Sequence, residues 1–71
     1  MNADRSATYE FTVVGHLDAR WSEWFGELAI DPHDDGTCTL VGPIADQAQL
    51  HGVLAGLRDI GATLLSVRAL G

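Results

Sequence analysis

An α+β fold is predicted by three features of the sequence. The first is a long helical segment, Asp46 to Gly61, with recognisable signals at both of its ends. The second is an Asp35-Gly36 dipeptide between two β-like runs, which is a strong hairpin signal. The third is a strand-like segment near each end of the chain. With a shorter helical pattern after the first strand, these features predict the order β-α-β-β-α-β.

Four segments are predicted as strands because they are rich in β-branched and aromatic residues or alternate in polarity. In the last one, Leu65 and Val67 flank Ser66, so the apolar residues fall on one face. Pro32 ends the second segment, and the Gly-Pro pair at 42–43 ends the third. The predicted strands are Thr8–Val14, Leu28–Asp31, Thr37–Val41 and Leu64–Leu70.

The first predicted helix spans Leu17–Gly26, with Asp18 as its N-cap and Gly26 permitting a sharp exit. Its apolar residues fall at positions i, i+3, i+4 and i+7, which is one helical face. We expect this face to pack into the core, and a ligand-binding floor is the alternative. The face consists of Trp21, Trp24, Phe25 and Leu28.

The second predicted helix begins at Asp46, whose carboxylate can accept hydrogen bonds from the first turn. Gln49 follows three residues later, as in a capping box. Arg58 suits the negative end of the helix dipole, and Gly61 suits the left-handed conformation that commonly ends a helix. The apolar stripe is Leu50, Val53, Leu54, Leu57 and Ile60.

These elements predict the split βαβ arrangement of ferredoxin-like folds. Both helices are expected on one face of a four-stranded antiparallel sheet with strand order 4-1-3-2. In this order the first and last strands are antiparallel neighbours, so Glu10 and Arg68 form a cross-strand ion pair. Residues 1–7 are expected to be a flexible leader, and residues 8–71 a single domain.

Composition excludes several classes of function. The chain has 71 residues and a formal net charge of −6, which argues against nucleic acid as a partner. We also expect no membrane partner, because no apolar run is long enough to span a bilayer. The single cysteine, Cys38, rules out an internal disulfide and favours a reducing cytoplasm. A domain this small buries only about 60% of its unfolded surface, which favours self-association.

Three runs of sequence also indicate a family. They are GHLDARW at Gly15–Trp21, DGTCTLVGP at Asp35–Pro43 and DQAQLHGVLAGLRDIG at Asp46–Gly61. The chain resembles short bacterial proteins that carry GHLD-x-x-W, DGT-x-x-L-x-GP and DQA-x-LHG-x-L-x-x-x-RD-x-G stretches. The resemblance covers nearly the whole chain after residues 1–7. It implies a complete small protein and carries over no catalytic residue.

A polar edge is the candidate ligand-binding region. In the predicted fold, the loop after the first strand and the central hairpin meet at one edge, which gathers His16, Asp18 and His33. Two imidazoles and nearby carboxylates are possible metal ligands. However, Asp18 is explained as a cap and Asp34-Asp35 as turn residues, so we expect no metal or cofactor. The candidate ligand-binding set is His16, Asp18, Trp21, Trp24 and His33.

No catalytic residue is predicted. Cys38 with a histidine is a possible nucleophile and base, but the alternation of its strand places it beside Leu40 in the core. A buried cysteine is more often a small packed hydrophobe. The sequence lacks a complete acid–base or nucleophile set, which favours a non-catalytic role.

Self-association is predicted through the long helix. The helix face opposite the apolar stripe carries small residues and no charge until Arg58 and Asp59 in the last turn. An interior glycine costs a helix about 1 kcal/mol relative to alanine, so these glycines need a reason. Close approach of another copy explains such a face, and a composition effect is the alternative. A dimer across the open sheet face, at Thr12, Val14, Thr39 and Val41, is a further possibility. The predicted helix interface is Ala48, Gly52, Ala55 and Gly56.

Two classes of function follow. The first is a small non-catalytic interaction or regulatory module that acts as a homo-oligomer, with a dimer favoured and an unidentified protein or small-molecule partner. The second is a small dimeric ferredoxin-like enzyme or ligand-binding protein with a pocket between sheet and helices. Fold alone does not separate the two, because this fold hosts many unrelated functions.

Overall fold

A computed structural model of the protein describes residues 7–15, 17, 21–26 and 28–71. Within these residues the fold is α+β, as predicted, and consists of a four-stranded antiparallel sheet, one full helix and one helical turn. The described helices are all too short to cross a bilayer. The elements are β1 (Ala7–Val14), α1 (Trp21–Trp24), β2 (Ala29–Pro32), β3 (Thr37–Ile44), α2 (Gln47–Asp59) and β4 (Thr63–Ala69).

The strands lie in the order β2-β3-β1-β4, which reads β4-β1-β3-β2 when counted from the opposite edge. Strand β1 is therefore central and pairs antiparallel with both β3 and β4. Phe11 shows the register, since it lies opposite Leu40 on one side and Val67 on the other. The register of β4 shifts between Thr12 and Val13, which marks an irregularity near the start of β4.

The prediction of two helices covering one face is wrong for the described residues. Only Trp21–Trp24 of the predicted 17–26 segment is described as helix, and α1 is a single turn. Gly26 has a φ of 82° and ends this turn, because that conformation cannot continue a right-handed helix. Phe25 is buried as expected, but Trp24 is 64% exposed and does not belong to the core.

The third strand is longer than predicted, because β3 continues through the Gly-Pro pair to Ile44. Its pairing with β1 extends to Ala7, which belongs to a strand rather than to the expected leader. Strand β2 pairs with β3 only as far as Val41, so beyond that point no described strand pairs with this side of β3. Proline is tolerated at such a free side because its missing N–H removes no ladder bond.

The caps of α2 are confirmed. Asp46 Oδ1 accepts a hydrogen bond from the Gln49 N–H at 2.8 Å, and Gln49 Oε1 accepts one from the Ala45 N–H at 2.7 Å. At the other end Gly61 has a φ of 80°, and the Ala62 N–H donates to the Leu57 carbonyl at 3.0 Å. This is the Schellman arrangement, in which a left-handed glycine lets the chain satisfy the last helical carbonyls.

The core lies between α2 and the half of the sheet formed by β1 and β3. Within α2 the buried residues are Val53, Gly56 and Leu57, whereas Leu50 and Leu54 of the predicted stripe are only half-buried. No residue of β4 is buried. The buried apolar side chains are Phe11, Val13, Phe25, Leu28, Cys38, Leu40, Ile44, Val53 and Leu57.

Candidate interaction surfaces

A groove lies between the α1 turn and α2. Its volume is about 360 Å³. Trp24 and Gly52 are exposed on its walls, so the groove opens to solvent and presents an indole ring. Its lining combines apolar surface with one amide side chain, and consists of Trp24, Phe25, Gly26, Gln49, Gly52 and Val53.

Gly56 lets the α1 turn approach α2 closely. A Cβ atom at this position would lie 2.8 Å from Phe25 Cε1 and 3.2 Å from Trp24 Nε1. The first distance is shorter than side-chain packing permits, so a glycine is needed here by the chain itself. Trp24 is also held by Trp21, whose ring meets it edge-on with 5.7 Å between the centroids.

The predicted helix interface is thus divided in the structure. Ala48 and Gly52 are exposed, Ala55 is half-buried and Gly56 is buried against the α1 turn. A Cβ at Gly52 would meet no other atom within 4 Å, so the folded chain does not require this glycine. The small-residue face is therefore partly an internal packing surface, and only its Ala48–Gly52 portion remains open to a partner.

His33 and the tryptophans lie on opposite faces of the sheet. His33 Nε2 is 2.6 Å from Thr39 Oγ1, and Thr39 alternates with the core residues Cys38 and Leu40. His33 therefore lies on the face away from α2, whereas Trp24 contacts α2. The predicted ligand-binding set is not gathered at one place by the described residues.

The polar edge itself is only partly described. The Gly15 N–H donates to the Gly36 carbonyl at 2.7 Å, so the end of β1 meets the β2–β3 turn, as predicted. His16 and Asp18 lie outside the described residues. Within the described ranges, no three His, Cys, Asp or Glu side chains lie close enough to hold a metal ion.

Asp35 organises the β2–β3 turn. Its Oδ1 accepts hydrogen bonds from the Thr37 hydroxyl at 2.6 Å and from the Thr37 N–H at 3.0 Å. These bonds stabilise the ionised carboxylate, and the hydroxyl bond contributes most to lowering the pKa of Asp35 below its ordinary value of 3.8. The group is explained by turn formation and carries no indication of catalysis.

Cys38 is fully buried, as predicted from its strand alternation. It lies opposite Val13 in the ladder between β1 and β3 and belongs to the apolar core. A thiol without solvent access cannot attack a dissolved substrate, so its position is that of a packed hydrophobe.

The open face of the sheet, on the side away from α2, is largely polar. Thr12 lies opposite Thr39 on one side and Ser66 on the other. The predicted pair of Glu10 and Arg68 is confirmed, with Arg68 Nε 3.0 Å from Glu10 Oε1. The exposed large hydrophobic residues on this face include Val14, at the end of β1, and Leu70, which pairs with Thr8 just beyond the end of β4.

Strand β4 is the surface that sequence reasoning missed. Its large apolar residues are well exposed, with Leu64 at 41%, Leu65 at 55% and Val67 at 37% of their full accessible area. Alternation predicted one buried and one exposed face, and it could not show that the helix leaves the strand uncovered. A signal was present nonetheless: the Leu64-Leu65 pair breaks the alternation, and the strand contains neither Lys nor Pro.

The arrangement defines a small α+β domain with one full helix on an antiparallel sheet. A family model described as "Domain of unknown function (DUF8691)" matches residues 8–68. The chain belongs to this family. No curated protein and no solved structure matches the chain.

Proposed function

We propose that this protein is a small cytoplasmic, non-catalytic interaction or regulatory module that acts as a homo-oligomer, with a dimer favoured. The observation that carries the proposal is the exposure of every residue of β4, including Leu64, Leu65 and Val67. A large exposed apolar patch on a small protein usually marks an interaction site.

Energetics support the same proposal. Burial of apolar surface contributes roughly 25 cal/mol per Å², and a domain of this size has a thin stability margin. A partner that covers β4 would add to that margin, because anything that binds only the folded state raises the free energy of unfolding. The polar groups described above form turns, helix caps and a surface ion pair, so they have structural roles. The exposed apolar surface of β4, in contrast, favours association with a partner.

The proposal is tested by measuring mass as a function of concentration. Native mass spectrometry and light scattering of freshly purified protein should give a dimer mass at tens of micromolar and above, since small-domain dimers of micromolar affinity are populated there. Thermal stability should rise with protein concentration over the same range. A monomer mass throughout, with a concentration-independent melting temperature, would contradict self-association.

A second candidate function is favoured by the α1–α2 groove. A dimeric ferredoxin-like enzyme or ligand-binding protein would use a pocket between sheet and helices, and this groove exposes the Trp24 indole beside Gln49. Ligand sites combine apolar walls with few polar groups in this way.

The dye ANS tests the groove as a small-molecule site, because Trp24 fluorescence should respond to an apolar molecule bound beside it. Gly52→Leu would fill the groove and should abolish the response. Ala48→Leu is the control, since Ala48 is exposed on the same helix but does not line the groove. Equal responses in both variants would rule out the groove as the dye site.

A further inference from the structure

The outer edge of β4 offers backbone hydrogen-bonding groups to a partner. Among the described strands, β4 pairs only with β1, on one of its two sides. The Leu70 N–H donates to the Thr8 carbonyl, so it points towards β1. Backbone groups alternate in direction along an antiparallel strand, which turns those of Arg68 and Ser66 inwards and those of Ala69 and Val67 outwards. The outward groups form a template for another strand.

The apolar surface continues from β4 onto α2. Gly56 faces the α1 turn, and Leu54 lies two residues earlier, about 160° around the helix at 100° per residue. Leu54 is therefore on the flank away from α1, and Leu50 lies one turn before it on the same flank. Both leucines are only half-buried. A partner beside β4 on the helix side would cover them.

The opposite edge of the sheet is protected against pairing. Strand β2 has four residues, and its last two are Asp31 and Pro32. Short length, charge and proline are features that prevent an edge strand from adding another strand. Strand β4 has seven residues without proline, and its one charged side chain, Arg68, is paired with Glu10 of the same chain.

We propose that β4 pairs antiparallel with β4 of a second copy across a two-fold axis. The two sheets then form one continuous eight-stranded sheet, with both copies of α2 on the same side. This inference rests on the proposed homo-oligomer and names its interface. It differs from the helix-face and open-face dimers because the contact is made by backbone hydrogen bonds at the sheet edge.

The side chains favour one register. With Val67 on the axis, its outward N–H and C=O groups meet those of its own copy, and Ser66 faces Arg68 of the second copy. A register with Arg68 on the axis would place two guanidinium groups opposite each other, which is destabilising. The irregularity near Leu64 keeps the strand pairing short. Leu50 and Leu54 on the facing flanks of the two helices complete the contact.

A two-fold axis also explains why a second copy is the occupant. Antiparallel β4–β4 pairing uses the same surface on both copies and leaves no unprotected edge, because the outer strands of the dimer are then the two β2 strands. Association therefore stops at two copies. Arg68, the one charged residue of β4, is paired with Glu10 of the same chain, so the strand pairing brings no unpaired charges of β4 together.

Hydrogen exchange of the unaltered protein tests the interface directly. We expect the amides of Val67 and Ala69 to exchange at least about tenfold more slowly at high protein concentration than at low, because dimerisation occupies them. The amides of Ser66 and Arg68 bond to β1 and serve as internal controls with protection at both concentrations. A dimer whose Val67 and Ala69 amides remain unprotected would overturn the β4 interface and leave the homo-oligomer proposal standing.

Three variants separate the possible interfaces. Val67→Lys places two like charges at the axis, so it should weaken the dimer and raise its dissociation constant by at least about tenfold. Val14→Lys on the open sheet face and Gly52→Glu on the helix face should keep the parent mass in light scattering.

Loss of the dimer in either of these two variants, with Val67→Lys still dimeric, would overturn the inference. Monomeric parent protein would overturn both the inference and the proposed function, and a strand from another protein would then be the occupant to seek. If Val67→Lys does not fold, exchange in the parent decides.

Discussion

The two strands that flank β1 have similar apolar content but opposite environments. On one side Leu40 of β3 lies opposite Phe11 and is fully buried. On the other side Val67 of β4 lies opposite the same Phe11 and is 37% exposed. The difference therefore does not come from hydrophobicity. It comes from position in the sheet, since β3 lies between two strands and β4 lies at an edge, and from what covers each strand.

The cover on the β3 side has two parts. Helix α2 packs there with Val53 and Leu57, and the chain around α1 adds Phe25 and Leu28. Gly56 permits the close approach of α2 and the α1 turn. A Cβ at this position would contact Phe25 and Trp24, whereas one at Gly52 would contact nothing within 4 Å. The flank that carries Leu54 is turned towards β4 without covering it. The part of the sheet that is covered thus depends on how α2 packs against the α1 turn, and the lack of a side chain at Gly56 permits that packing.

The largest expected effect is the difference between Phe11→Ala and Val67→Ala on one rung of the sheet. Truncation of buried Phe11 should cost about 3–5 kcal/mol, which approaches the whole stability of a small domain. Val67→Ala should cost under about 1 kcal/mol in the monomer, because the residue is already partly hydrated. Urea unfolding at low protein concentration measures both. Equal costs would show that β4 is covered within a single chain.

Raising the protein concentration sharpens the same comparison. If β4 is an interface, the loss of unfolding free energy caused by Val67→Ala should grow with protein concentration. The loss caused by Phe11→Ala comes from the core of each chain and not from the dimer contact.

A second pair of variants compares the covered and open flanks of α2. Gly56→Ala introduces a Cβ 2.8 Å from Phe25 and should destabilise the protein by about 1–3 kcal/mol, despite the better helix propensity of alanine. Gly52→Ala meets open space and should stabilise the monomer by about 0.5–1 kcal/mol. Thermal melts at low concentration measure both. Stabilisation by both alanines would mean that the α1 turn does not pack on Gly56.

The sequence predicts those parts of the molecule that depend on local chemistry. The caps of α2, the Asp35-Gly36 turn and the burial of Cys38 follow from residues a few positions apart or from strand alternation. The Glu10–Arg68 pair joins residues 58 positions apart and was predicted from the strand order of the expected fold.

What the sequence did not predict depends on packing between elements. The i, i+3, i+4, i+7 spacing predicted Trp24 in the core, but only four of the described residues there are helical, and Leu28 lies beyond the end of that turn, so the spacing does not describe a helix face. Gly56 was predicted to lie at an interface between copies. Its contact with Phe25 could not be predicted, because it joins segments that are distant in sequence. The exposure of β4 likewise depends on which flank α2 presents. The described members of the candidate ligand set lie on two faces of the sheet, because His33 pairs with Thr39 on one face and Trp24 contacts α2 on the other.

A smaller effect is expected from the ion pair that ties β4 to β1. Arg68 is 63% exposed and Glu10 26% exposed, so solvent screens the pair and its coupling should be under about 1 kcal/mol. A double-mutant cycle with Glu10→Gln and Arg68→Gln measures that coupling free energy, and high salt should reduce it. A coupling well above this range that resists salt would indicate that the open face is covered by a partner.

The smallest effect should come from the turn at the protected edge, through the ionised carboxylate of Asp35. Its pKa is lowered in the folded protein, so the charged form stabilises the fold above the ordinary pKa of 3.8. That stability is lost as the pH falls from 3.8 through the lower folded pKa, where the carboxylate becomes protonated in both states. Asp35→Asn should therefore lower the melting temperature slightly at neutral pH, and the difference from the parent should shrink in acid.

Asp34→Asn is the matched control, because Asp34 is an exposed neighbour and its replacement changes the net charge of −6 by the same amount. Both variants remove one negative charge from the turn, but only the Asp35 variant loses the bonds between a carboxylate and Thr37. Identical melting temperatures for the two variants at every pH would show that these bonds do not stabilise the hairpin, and that the short β2 edge is held by its pairing with β3 alone.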